Sequence, residues 1–190
     1  MSPDLPFRTE ILIEWFVVSP IHRYEGRPAD GPVPLDESVD ETPDVIAVVA
    51  GLGIKGDRFF GRAAHRTAAV TLFAAETLEH LEAVLACGPL DPVATRRNII
   101  LRGADIDLLT RQPFSIDSGD GPVHFDGQRP ASPCGWMNTV LAPGAHTAMR
   151  GRGGIRSTPT TTGTLRLGRA VLASAIAVPL PVAPDTSTLF

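Results

Sequence analysis

Apolar positions along this chain fall in short blocks, most of them too short for helices. Glu10–Val18 (EILIEWFVV) is nearly continuous in apolar, β-favouring side chains and predicts a buried strand. Val45–Ala50 (VIAVVA) predicts a second strand and Ala68–Phe73 a third. Asn98–Leu101 (NIIL), Pro113–Ile116 (PFSI) and Val123–Asp126 (VHFD) read as shorter strands, the last following a turn at Gly119–Pro122. Thr164–Ala175 (TLRLGRAVLASA) begins with period-two alternation and predicts a closing strand, or a hairpin turning at Gly168. Helical spacing is clearest at Ala75–Ala86. There Leu78, Leu81 and Leu85 share a face with Val84 beside them, while Glu76, Glu79 and Glu82 lie off it. Acids near its start suit the helix dipole, and Gly88 with Pro89 ends it. Trp136–Leu141 and Ala145–Met149 predict short helices parted by Pro143 and Gly144. About seven short strands with few helices predict a mainly β fold, a closed or nearly closed barrel rather than a βαβ sheet.

A polar, acidic excursion over Arg27–Pro43, with Pro28, Pro32, Pro34 and Pro43, interrupts this pattern. So long a stretch without periodicity is a surface excursion or a lid over a site. The whole, 190 residues, is room for one domain, with a core over about residues 10–175 and a proline-rich tail at 176–190. The longest uncharged apolar stretch, Ala170–Pro184, is broken by prolines and is short of the roughly 20 residues a membrane helix needs. Residues 1–9 carry an acid and no apolar run, unlike a signal peptide, so a cytoplasmic location is expected. Cys87 and Cys134 are then expected as thiols.

Charge is unevenly spread. Residues 1–50 hold ten acids and three arginines. Gly127–Pro184 hold six arginines (Arg129, Arg150, Arg152, Arg156, Arg166, Arg169) and no carboxylate. That run is either a solvated face or a site for a small anion, since the planar guanidinium fork suits phosphate and carboxylate. A pI of 5.7 argues against a general nucleic-acid binder.

Gly51–Gly56 (GLGIKG) matches the dinucleotide-binding fingerprint, with Glu76 twenty residues beyond. The helix it requires would span about Ile54–His65, which has no apolar stripe. The glycines read better as a sharp turn that brings backbone amides and Arg58 close to something. Cys134, in RPASPCGWMNTVLAPG, stands in a loop just before a predicted helix. Helix dipole and nearby arginines favour a thiolate, the form that attacks sulfur, carries a persulfide or ligates a soft metal. The bland alternative is a buried cysteine acting as a small hydrophobe. Cys87, at the end of the Ala75–Ala86 helix, reads as a packed thiol. The cysteines lack zinc spacing, and the five histidines are scattered. His65 and His124 stay open as distant partners of Cys134.

Five segments in order carry a resemblance: Gly53–Phe60 (GIKGDRFF), Arg96–Leu109 (RRNIILRGADIDLL), Arg129–Cys134 (RPASPC), Arg150–Gly154 (RGRGG) and Gly163–Gly168 (GTLRLG). Together they resemble MOSC domains, named for the C-terminal domain of molybdenum-cofactor sulfurases, over about residues 10–175. The resemblance implies a β-barrel and two kinds of activity. One is handling of sulfur with the molybdenum cofactor; the other is reduction of N-hydroxylated compounds at a cysteine-bound molybdenum. It implies that Cys134 stands at the molybdenum-binding cysteine, that Arg96 and Asn98 line the cofactor site, and that Asp57 and Arg58 lie near the pterin phosphate. Arg129 joins them as the arginine that opens the Cys134 segment.

An anionic pterin dithiolene would suit arginines and a soft thiolate. Pyridoxal phosphate is associated with the family, but Lys55, the sole lysine, sits in no recognisable pocket motif. A reductase would need a separate electron donor, and a sulfur carrier a sulfur-donor protein. Three readings stay open: a molybdenum-dependent reductase of a small substrate, a persulfide carrier without resident molybdenum, and a non-catalytic anion-binding barrel.

Overall fold

The structure, a computed structural model, describes residues 3–181. In chain order the strands and helices are β1 (Phe7–Phe16), β2 (Val45–Val49), β3 (Gly53–Ile54), β4 (Val70–Ala74), α1 (Glu76–Leu85), β5 (Ile99–Arg102), β6 (Pro113–Asp117), β7 (Val123–Pro130), α2 (Met137–Val140), α3 (Ala145–Ala148), β8 (Ile155–Pro159), β9 (Gly163–Arg166) and β10 (Gly168–Ser174). Seven strands close a barrel in the order β1-β10-β6-β7-β8-β4-β5, and β3-β2-β9 form a small second sheet. The pairings are antiparallel except β4–β5, which is parallel. A parallel pair needs a crossover, and α1 with the following loop supplies it.

Inward positions of β1 alternate through Ile11 and Ile13, then shift at a bulge between Ile13 and Trp15 that still buries Phe16. These join Leu72, Ile99, Leu101, Phe114, Ile116, Phe125, Ile155 and Leu172 in the barrel core. Ile100 and Phe73 point the other way, onto Leu78 and Leu81 of α1 and onto Trp136 and Met137. So α1 and the short helices after Cys134 share one apolar cluster on the barrel wall.

Several expectations change. Thr164–Ala175 is neither one strand nor a hairpin: β9 pairs with β2, and β10 with β1 and β6. The chain changes sheets between Arg166 and Gly168, so Val45–Val49 lies outside the barrel. The segment after GLGIKG runs in turns rather than an α-helix, as its lack of an apolar stripe implied. Gly53 and Ile54 pair back on β2 through the Ala50–Leu52 turn. Amides expected to face a ligand are used by the fold, Lys55 N on Ala47 O, Asp57 N on Ile54 O and Arg58 N on Ser19 O. The Arg27–Pro43 excursion is tied down. Arg23 Nε donates to Val33 O, Val33 N to Arg23 O, and Val18 N to Glu41 O. The start of the tail packs back through buried Val178, and Asp105 N donates to Pro179 O. Its remainder, residues 182–190, lies outside the described residues. Among the described residues no helix is long and apolar enough to cross a membrane.

Candidate functional site

Where β4 and β5 begin, four distant segments meet on Asn98. Its Nδ2 donates to Val17 O and to Asp57 Oδ2, each at 3.0 Å. Its Oδ1 accepts from Thr71 N at 3.0 Å and from Thr71 Oγ1 at 2.9 Å, and its own N donates to Thr71 Oγ1. Every polar atom of this amide, which is 6% exposed, is occupied by protein. Asp57 in turn accepts from Phe59 N, closing the turn that carries Arg58, and its Oδ2 lies 3.7 Å from Arg58 Nη1.

On this floor stands a cavity of about 320 Å³. Four arginines line it: Arg58, Arg96, Arg97 and Arg156. Arg58 lies over the Phe59 ring, 4.3 Å from its centre, and burial lowers its pKa against the opposing pull of Asp57. Arg96 ends the Pro92–Thr95 turn in the left-handed region at φ 57°, which swings its side chain inward to 8% exposure. Its Nη2 lies 2.9 Å from Glu41 Oε1 without aligning as a hydrogen bond. Burial pushes the Glu41 carboxyl up, but Arg96 and Arg23 outweigh this and hold it below the usual range.

Arg97 is used differently. Nε donates to Gly153 O at 3.0 Å, Nη1 to Thr95 O at 3.2 Å and Nη2 to Ala131 O at 2.7 Å. Burial first, then neighbouring Arg156, bring it down to about 10. Burial and Arg129 likewise lower Arg156. Two buried donors have neither a hydrogen-bond nor an ion-pair partner among the described residues, Nε of Arg58 and Nη1 of Arg96, while Nη2 of Arg96 has only the Glu41 carboxylate. Buried donors are normally satisfied, so these point to an anion.

Cys134 lines the same cavity and is exposed. The Arg97 clamp holds the loop three residues before it, at Ala131, against Gly153. Beside it, Trp136 stacks on Tyr24 with ring centres 5.0 Å apart. The Tyr24 hydroxyl donates to Ala94 O, and burial pushes its pKa up to about 12. Phe59 and His65 meet on another wall in a tilted ring contact, centres 4.2 Å apart. The arrangement offers guanidinium donors, flat aromatic surfaces and one accessible sulfur.

Comparison with solved structures shows what kind of barrel this is. YuaD from Bacillus subtilis matches with a TM-score of 0.67 at 14% identity, over 90% of this chain and 99% of that one. YiiM from Escherichia coli matches at 0.56 and 15% identity, over 92% and 74%. YiiM from Geobacillus stearothermophilus matches at 0.56 and 15%, over 86% and 74%. The chain shares the YuaD and YiiM fold. No protein-family model matches it, and no curated protein sequence does.

Of the residues nominated from sequence, Arg58, Arg96, Asn98 and Cys134 line one cavity, and Asp57 lies buried beneath it. Arg129 is exposed on β7, opposite Arg156, and does not line it. The arginine run after Gly127 does not converge: Arg156 reaches this cavity, Arg166 pairs with Asp120, and Arg169 lines a separate groove with Glu10 and Arg102. His65 shares the cavity with Cys134, whereas His124 faces another with Asp126 and Thr160. The helix after Cys134 has four residues, too few to carry the dipole argument. Sequence reading missed Arg97, Arg156 as a cavity residue, and Glu41. The Arg96–Arg97 doublet was a signal for the first, whereas Glu41 looks like any other acid in a polar loop.

Proposed function

We propose that this chain is a MOSC-like barrel that binds molybdenum cofactor, or a related sulfur-bearing anion, in the Cys134 cavity. In this reading it reduces N-hydroxylated compounds with electrons from a separate donor. The likeness to YuaD and YiiM supports the MOSC-like fold. The observation that carries the rest is the set of unpartnered buried donors on Arg58 and Arg96 in a cavity that also holds an exposed thiol.

The residues fit such a group. Among the described residues no three His, Cys, Asp or Glu side chains gather as a metal site, so a metal held here takes most of its ligands from its own cofactor. Cys134 offers the soft sulfur that molybdenum bound by dithiolene accepts. Arg58 and Arg96 would hold the cofactor's phosphate, with Arg97 and Arg156 adding charge nearby. When bound, the cofactor would supply the two-electron chemistry. Asp57 and Asn98 would act through the others, fixing the turn that carries Arg58.

The exposure of Cys134 favours a second reading, a persulfide carrier, since a sulfur handed between proteins must be reachable. One experiment separates the two. The protein and Cys134→Ala are expressed in a host that makes the cofactor, and molybdenum, pterin and the mass of Cys134 are measured. Near-stoichiometric molybdenum that falls at least tenfold in Cys134→Ala is the expected result. A one-sulfur mass increment on Cys134 without molybdenum establishes the carrier. Neither molybdenum, pterin nor added sulfur removes both and leaves an anion-binding barrel.

A further inference from the structure

The four arginines of the cavity are unequally balanced. Asp57 faces Arg58 at 3.7 Å and Glu41 faces Arg96 at 2.9 Å. Among the described residues Arg97 and Arg156 have no carboxylate in ion-pair contact. Glu41 is shared, since its other carboxylate oxygen takes Arg23 at 3.1 Å, so guanidiniums outnumber the carboxylates set against them and the cavity stays net positive. Glu41 comes from the acidic excursion, and its position is built rather than incidental. Its backbone O accepts from Val18 N at 2.8 Å, its Oε2 accepts from Arg23 Nη1 at 3.1 Å, and the residue is 7% exposed. It stands behind Arg96 and is not part of the cavity wall, so it subtracts charge without filling ligand space.

We propose that Glu41 is a specificity-determining residue that restrains how strongly this cavity prefers a dianionic oxyanion to a monoanionic one. The proposal rests on the anion-binding part of the reading above and is independent of the metal. Four guanidiniums, set against Asp57 and a Glu41 carboxylate shared with Arg23, favour the more highly charged of two anions. A monoanion leaves buried positive charge, and burying uncompensated charge is costly. Coulomb energy scales with the product of charges, so removing Glu41 must favour a dianion about twice as strongly, in free energy, as a monoanion.

The test uses sulfate and nitrate as probes of charge −2 and −1 on the full chain, with affinities measured by calorimetry. In Glu41→Gln, sulfate is expected to bind about tenfold tighter and nitrate about threefold, the square-root relation that charge scaling demands. Were Glu41 merely orienting Arg96, the substitution would weaken both anions. That result, or an equal change for both, overturns the proposal while leaving the anion site standing. Failure of either anion to bind any variant overturns both. If Arg96 without its carboxylate prevents folding, Glu41→Asp retains the charge but withdraws it by one methylene. It is expected to give smaller gains in the same order, and no gain there also overturns the proposal.

Discussion

Arg96, Arg97 and Asn98 are near neighbours in sequence, and each is committed differently. Arg97 spreads its donors over three carbonyl oxygens and holds the loop before Cys134. Arg96 sets Nη2 against Glu41 in an ion pair and keeps Nη1 without a partner among the described residues. Asn98 has nothing left to offer a ligand. Asn98→Ala is therefore expected to act on stability. It strands Thr71 N, Val17 O and an Asp57 oxygen, and a loss of roughly 2–4 kcal/mol should appear in urea unfolding. A loss below about 0.5 kcal/mol would return Asn98 to the ligand-binding residues. Which neighbour does which task was not legible in the sequence. It depends on the left-handed turn at Arg96, and nothing in an R-R-N string announces that reversal.

The glycines of Arg150–Gly154 explain themselves at the level of elements. A Cβ at Gly154 would stand 2.0 Å from Leu72 O, and one at Gly153 would stand 2.4 Å from Ala131 O. These contacts let the strand opening β8 lie against β4 and present Gly153 O to Arg97. Gly127, at the β7 bulge, is as tight, with 1.9 Å to Leu109 O. Gly135, beside Cys134, has open space. Gly127→Ala should cost more than about 3 kcal/mol or prevent folding, while Gly135→Ala should stay within about 0.5 kcal/mol. Thermal unfolding of the pair checks this, and similar costs would contradict it. The barrel was readable because most of its strands are apolar blocks with turn residues between them. The second sheet was not. β2 has the same Val and Ile character as a barrel strand, and β9 runs into β10 with only Leu167 between. Pairing is decided by distant partners, which periodicity does not encode.

For the molecule as a whole, Asp107 links acidity to stability. It sits on the Ile106–Leu109 turn, where its Oδ1 accepts from Gly154 N at 2.9 Å. Burial, with Asp105 beside it, pushes its pKa up to about 6 against the lowering effect of that bond. The folded state thus binds a proton more tightly than the unfolded one. The resulting stability is full below the unfolded pKa near 4 and is lost as pH rises through about 6. Asp107→Asn keeps the acceptor and removes the charge. It is expected to raise stability at pH 7.5 by about 1–3 kcal/mol and to leave it unchanged near pH 4. An equal effect at both pH values would show that the carboxyl does not titrate as described.

The four-way junction at Asn98 also has a kinetic side. Val17, Asp57, Thr71 and Asn98 belong to segments spread over 82 residues, and β1 must also find β10 at the far end of the chain. Pairings of such sequence separation form late, after local hairpins such as β6–β7. Wall residues Arg58 and Arg96 acquire their places only when that junction closes. A chain refolding from the denatured state therefore exposes its thiol before the arginine cage closes around it. During that interval Cys134 is a thiol without surroundings, and on the proposed reading closure of the barrel is what makes it part of a receptor.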